Sequence, residues 1–214
     1  MKYKFVLYLL TWSTLSCINS YHNFQQRVVD ESKQALLLAD PDLSQLGKMK
    51  FDKISDDTTL NIDRTTKPFN FRTGKSFYRA IEVGQKAERY LLVVTSKRTG
   101  GKGTLYKQPT FFLPKVILLD NQNNFVAGDE LLRSAHTYGE NKLSISYLID
   151  DDLAPKVERI VVFTDPNLAG RLMSDYFAHN GPFGTETPIV RSHLDGEAML
   201  NVEGVISINI KGSK

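Results

Sequence analysis

The sequence predicts an all-β protein with minor α content: an antiparallel β-sandwich, jelly-roll-like, with an N-terminal helix and one late helix. Three observations carry this. From Phe51 onward, short apolar runs recur, several of them alternating apolar and polar residues with the period of two that marks a half-buried strand. Polar or glycine-rich turns punctuate the runs at Lys97–Gly103, Asn121–Asn124 and Asp150–Pro155. Only two stretches carry a helical pattern. Many short strands joined by such turns bury their apolar faces best as two packed sheets.

Three segments succeed one another: residues 1–16 as a signal peptide, 17–50 as a lipidated N-terminus and helical tether, and 51–214 as the β-sandwich domain. Lys2 and Lys4 form a basic head, Phe5–Trp12 are almost all apolar, and Ser13–Ser16 are mostly small. The apolar stretch is shorter than the roughly 20 residues that span a bilayer as a helix. Cys17, the single cysteine, comes directly after the small residues, as a lipid-bearing cysteine does in bacterial lipoproteins. Thr14 stands where that pattern usually has leucine, and an ordinary secretory signal is the alternative. Acyl chains on Cys17 would anchor the protein to a membrane, and Ile18 after it points to the outer membrane, facing the periplasm. Beyond it, Asn23–Ala39 has a helical pattern, with Asn23 as cap, Gln26 three places on, and Asp40-Pro41 as the stop.

The strands are predicted next. "SFYRAIEV" sets Phe77, Ile81 and Val83 against Tyr78, Ala80 and Glu82. "ERYLLVVTS" is continuously apolar, which suits burial on both faces or a central place in a sandwich, and "KVILLD" and "ERIVVFTD" share that character. "KLSISYLID" puts Leu143, Ile145, Tyr147 and Ile149 inward and Ser144 and Ser146 outward. "GVISINIKG" aligns Ile206, Ile208 and Ile210 on one face. The late helix is predicted from Asp165 as cap and Pro166 as first residue, with Leu168, Leu172, Tyr176 and Phe177 as its packing stripe and Asn180-Gly181 as its end.

Composition narrows the function. Removing the signal takes two lysines and no acid, so the formal charge falls from +3 toward neutrality. That argues against nucleic acid as a partner, which calls for a basic stripe. A single cysteine excludes an internal disulfide. The four histidines are scattered, and no His-Glu-x-x-His or Gly-x-Ser-x-Gly motif occurs, so no metal, no cofactor and no enzyme activity are predicted. "DNQNNFVAGDE" has side-chain oxygens at Asp120, Gln122 and Asn124. However, Phe125 stands where a calcium loop needs glycine and Leu131 where it needs glutamate, so a hairpin connection is expected. Sugar binding needs an exposed aromatic beside hydrogen-bonding side chains. Tyr176, His179 and Asn180, ahead of a glycine-rich loop, form one such cluster, and Tyr138, beside His136 and Asn141, forms a second. The plainer reading of Tyr176 is a core anchor.

"FFLPKVILLDNQNNFV", with "KVERIVVFTDPNL" some forty residues later, resembles the maltose operon periplasmic protein family. "LSQLGKMKFDKISDDTTLNID" is similar to that family's entry segment, and "DYFAHNGPFGTETPIVRSHLDGEAMLNV" to its tyrosine- and glycine-containing loop and closing strand. The likeness runs from Leu43 to Ile210. It implies an envelope protein linked to maltose and maltodextrin uptake, with no established enzyme activity and no sugar site that transfers residue by residue. The expectation is an envelope lipoprotein that binds maltodextrin or another glycan as an accessory to transport. The alternative is a non-catalytic structural or interaction module with protein partners in the envelope.

Overall fold

Alternation along each strand decides which side chains meet across the interior. The computed structural model describes residues 30–34, 52–53, 58–66, 68–84, 87–99, 110–139, 141–173, 175–176 and 198–213. Its strands are β1 (Asp52–Lys53), β2 (Thr58–Ile62), β3 (Phe69–Phe71), β4 (Gly74–Ser76), β5 (Tyr78–Glu82), β6 (Arg89–Lys97) and β7 (Thr110–Phe112). They continue with β8 (Lys115–Leu119), β9 (Phe125–Gly128), β10 (Arg133–Gly139), β11 (Lys142–Ile149), β12 (Arg159–Phe163), β13 (Met199–Asn201) and β14 (Gly204–Ser213).

Two five-stranded sheets form the sandwich, the first in the order β1-β5-β12-β8-β9 and the second in the order β10-β11-β6-β14-β2. Pairing is antiparallel except for β1 with β5 and the small β7–β13 pair, which run parallel. Inward residues of both sheets share one core. Ile81, Val116, Leu118, Ile160 and Val162 come from the first sheet, and Leu92, Val94, Leu143, Ile145, Ile206 and Ile208 from the second. Burying each such side chain contributes about 1.5–3 kcal/mol.

The apolar runs separate into two kinds. β12 is buried on both faces. Ile160 and Val162 enter the main core, whereas Val161 and Phe163 face outward under a lid made by the β3–β4 hairpin. Phe71 of that hairpin stacks on Phe163 with ring centroids 4.0 Å apart, and Phe69 and Tyr78 meet Phe71 edge-on. β6 is instead central in its sheet but covered on one side. Tyr90, Leu92, Val94 and Ser96 are buried, while Leu91 is 40% exposed on the other face. β11 alternates as its sequence predicts, with Leu143, Ile145, Tyr147 and Ile149 inside.

The late helical pattern breaks into pieces. Asp165 does cap, accepting from the Asn167 N–H at 2.9 Å, and Pro166 stands first, but the turn is a 3-10 turn of three residues. Gly170 then adopts φ +86°, and the chain runs alongside β13, with the Gly170 N–H donating to Leu200 O at 2.8 Å. A helical turn begins at Met173. A glycine in the left-handed region ends a turn at little steric cost, and strand pairing then takes the backbone groups a helix would have used. Residues 30–34 are helical as predicted, and Ser32 is buried, donating to Glu203 Oε2 at 3.2 Å. Glu203 also accepts from Arg64 Nε at 3.0 Å and Nη2 at 3.2 Å, which holds this turn against the sandwich.

Candidate functional site

One end of the sandwich gathers polar groups that no turn or ladder requires. β8 starts there, just after Pro114, and the antiparallel register Ile117↔Gly128 brings the end of β9 alongside. The 3-10 turn after β9, Asp129–Leu131, places Asp129 Oδ2 3.7 Å from Lys115 Nζ. From the facing sheet, Tyr147 points inward and donates its hydroxyl to Pro114 O at 2.9 Å. A buried tyrosine keeps its ring in the core only when its hydroxyl finds such an acceptor. Tyr176, on the helical turn after β12, packs half-buried against the same core.

The electrostatics tie these groups together. Burial pushes the Asp129 carboxyl above its ordinary range, the Lys115 ammonium opposes that, and a hydrogen bond with the neighbouring Glu130 carboxyl adds to the rise. Burial, then the negative charge of Asp129, raise the Tyr176 hydroxyl. The same two causes, with Tyr176 third, push Tyr147 well above its usual value. Both phenols therefore stay protonated near neutral pH. The end of the sandwich presents the half-buried Tyr176 phenol, a carboxyl pair and one ammonium, a set that exchanges hydrogen bonds with hydroxyl-rich ligands, while the buried Tyr147 hydroxyl is committed to Pro114 O beneath them.

Of the two sequence-predicted binding residues among the described residues, Tyr176 lies in this cluster and Tyr138 lies apart from it. Tyr138 is 38% exposed and rests edge-on against buried Phe111, with centroids 5.7 Å apart. It faces Leu143 across the ladder, whereas Tyr147 faces Ser134. Four residues of strand separate the two rows, about 14 Å at ~3.4 Å per residue, so Tyr138 stands apart from the Tyr176 cluster, as the sequence placed it. Cys17, His179 and Asn180 lie outside the described residues. Lys115, Asp129 and Tyr147 are the residues that sequence reasoning missed. Tyr147 reads as plain core in its alternating strand, and Asp129 belongs to a stretch whose only sequence signal is a failed calcium loop.

The acidic loops are turns. Asp120 Oδ1 accepts from the Gln122 and Asn124 N–H groups, each at 2.8 Å, and Asn123 takes φ +66° beside them. This is the side-chain-to-backbone bonding that builds an Asx turn, and Arg159 ties it down through Asn123. Asp150 likewise accepts from the Leu153 N–H, and Asp151 pairs with Arg89 at 3.3 Å. Among the described residues, no three His, Cys, Asp or Glu side chains converge as a metal site.

No family model, curated protein or solved structure matches the chain. The resemblance to the maltose operon proteins thus rests on the order and spacing of the quoted segments.

Proposed function

We propose that this chain is an exported, lipid-anchored accessory protein of the cell envelope that binds maltodextrin or a related glycan without catalysis. The observation that carries the reading is that the half-buried Tyr176 feels the charge of Asp129, which sits 3.7 Å from Lys115 at one end of the sandwich. A sugar needs an aromatic face for its axial hydrogens and both donors and acceptors for its hydroxyls. The phenol ring of Tyr176 supplies the first, and the carboxyl pair with Lys115 the second. Beyond Tyr176 the sequence carries His179, Asn180 and Gly181, residue types that suit the same ligand.

Open polar sites of this kind bind weakly, because displaced water offsets most of each hydrogen bond. The expected dissociation constant for maltodextrins is roughly micromolar to millimolar. Calorimetric titration tests it, with Tyr176→Ala and Asn180→Ala each weakening binding about tenfold while thermal unfolding stays cooperative. Silence of the wild type with maltose, longer maltodextrins and other glycans at millimolar concentration refutes the reading. Fatty-acid labelling of cells carrying the wild type and Cys17→Ser tests the anchor: only the wild type takes up label.

A further inference from the structure

Among the described residues, no strand of the second sheet places a carboxylate on its outer face, and Asp151 reaches that face only at one end, where it pairs with Arg89. None of the sheet's five strands contains an acidic residue. Register sorts the outward side chains into rows that cross the sheet. At one end Lys142 and Lys97 are direct partners, both exposed, with Lys97 Nζ donating to Thr59 Oγ1 at 3.2 Å. The next row is a line of hydroxyls through all five strands: Thr137, Ser144, Thr95, Ser207 and Thr59. Thr95 and Ser144 hydrogen-bond each other at 2.9 Å, which fixes two of these hydroxyls in place. At the far end, Arg133 and Lys211 flank Leu148 and Leu91, which are 39% and 40% exposed.

Like charges directly opposite each other on a ladder destabilise it, and among the described residues no carboxylate faces Lys97 or Lys142. A chain with a formal net charge of +3 has gathered cations at both ends of one sheet face, about 20 Å apart at ~3.4 Å per residue along β6. We infer that this face docks a polyanionic glycan, a sugar chain bearing carboxylate, sulfate or phosphate groups. The two lysines converge on one acidic group through charge-assisted hydrogen bonds. The hydroxyl row replaces water at the sugar hydroxyls, and Arg133 and Lys211 take a second acidic group further along the chain.

The chemistry of the face separates this ligand from its rivals. Not one aromatic side chain projects from the face, so neither unpaired nucleobases nor a neutral glucan ring find a stacking platform there. A membrane surface calls for protruding apolar side chains across the contact, and here the hydroxyl row and the following row of Ala135, Ser146, Val93 and Asn209 separate the lysines from Leu91 and Leu148, which are exposed only at the far end. The inference is independent of the glucan site, because the Tyr176 cluster lies on the inward side of this sheet.

The test is binding of the full chain to an oligouronate and to a heparin oligosaccharide, measured by calorimetry at low and physiological salt. Binding is expected at ~0.01 M salt and should weaken severalfold or more by ~0.15 M, as the screening length drops from about 30 to about 8 Å. The Lys97→Glu/Lys142→Glu double variant is expected to lose at least about tenfold in affinity, a factor equivalent to ~1.4 kcal/mol. Its melting temperature and its maltodextrin titration should match the wild type. Tyr176→Ala should bind the oligouronate as the wild type does. Absence of binding to both anionic glycans at low salt overturns the inference, as does a double variant that binds within twofold of wild type. Binding to phosphatidylglycerol vesicles without binding to either glycan overturns it in favour of a membrane surface.

Discussion

Gly204 opens β14 where that strand crosses buried Phe112, and a methyl group there has nowhere to go. A Cβ built on Gly204 lies 2.5 Å from Phe112 Cβ and 3.4 Å from its Cγ. Real Cβ atoms do not approach so closely, so one backbone must shift. Phe112 cannot yield easily, because it is fully buried and its N–H is held at 3.0 Å by Ser96 Oγ. Gly204 is itself pinned by its ladder partner Ile62, which is also fully buried. Its φ lies outside the left-handed region, so the cost of Gly204→Ala is steric and not conformational. Overpacking of this kind costs about 1–3 kcal/mol, which for a domain of this size lowers the melting temperature by roughly 2–4 °C per kcal/mol. Gly84→Ala is the internal control: nothing lies within 4 Å of its added methyl. Gly84→Ala should be neutral or stabilising by up to about 1 kcal/mol through the unfolded chain. Urea denaturation of the three proteins decides the matter. A Gly204→Ala midpoint equal to that of wild type, at unchanged slope, would show that β7 and β14 do not meet as described.

Two further outcomes are expected. Asp129→Asn tests the site through pH. The folded carboxyl titrates above its unfolded value near 3.8, so the stability it contributes is fully present below that pH and is lost as pH rises through the folded value. The stability of Asp129→Asn relative to wild type should therefore increase from about pH 3.5 to about pH 7, and a difference that stays flat across that range contradicts the burial of the carboxyl. Phe71→Ala removes the ring stacked on Phe163 and should cost about 3 kcal/mol or more. Denaturant titration measures it, and a loss under about 1 kcal/mol would mean that the β3–β4 hairpin does not cover the first sheet.

Some of this is legible residue by residue. The inward set Leu143, Ile145, Tyr147, Ile149 and the isoleucines of β14 come from a period of two, a property of a few consecutive residues. The unbroken apolar run of β12 tells of burial on both faces for the same local reason. The similar run of β6 does not separate double burial from a central place in the sheet, since Leu91 is apolar yet 40% exposed. The late helical pattern misleads because Asp165-Pro166 is a correct helix start, while the path of the chain beyond it depends on β13, a distant partner in the sequence.

By itself the sequence determined the fold class, the period and facing of the long strands, and the turns at Asp120 and Asp150. These depend on backbone preferences and side-chain alternation within a short window. Only the tertiary structure decided which strands are neighbours. The parallel pairs β1–β5 and β7–β13, the salt bridge from Arg64 to Glu203, the reach of the Asp129 charge to Tyr147 and Tyr176, and the acid-free rows across the second sheet all join residues far apart in the chain. Their energies come from pairing and burial between distant segments, and no local pattern encodes which distant segment will arrive.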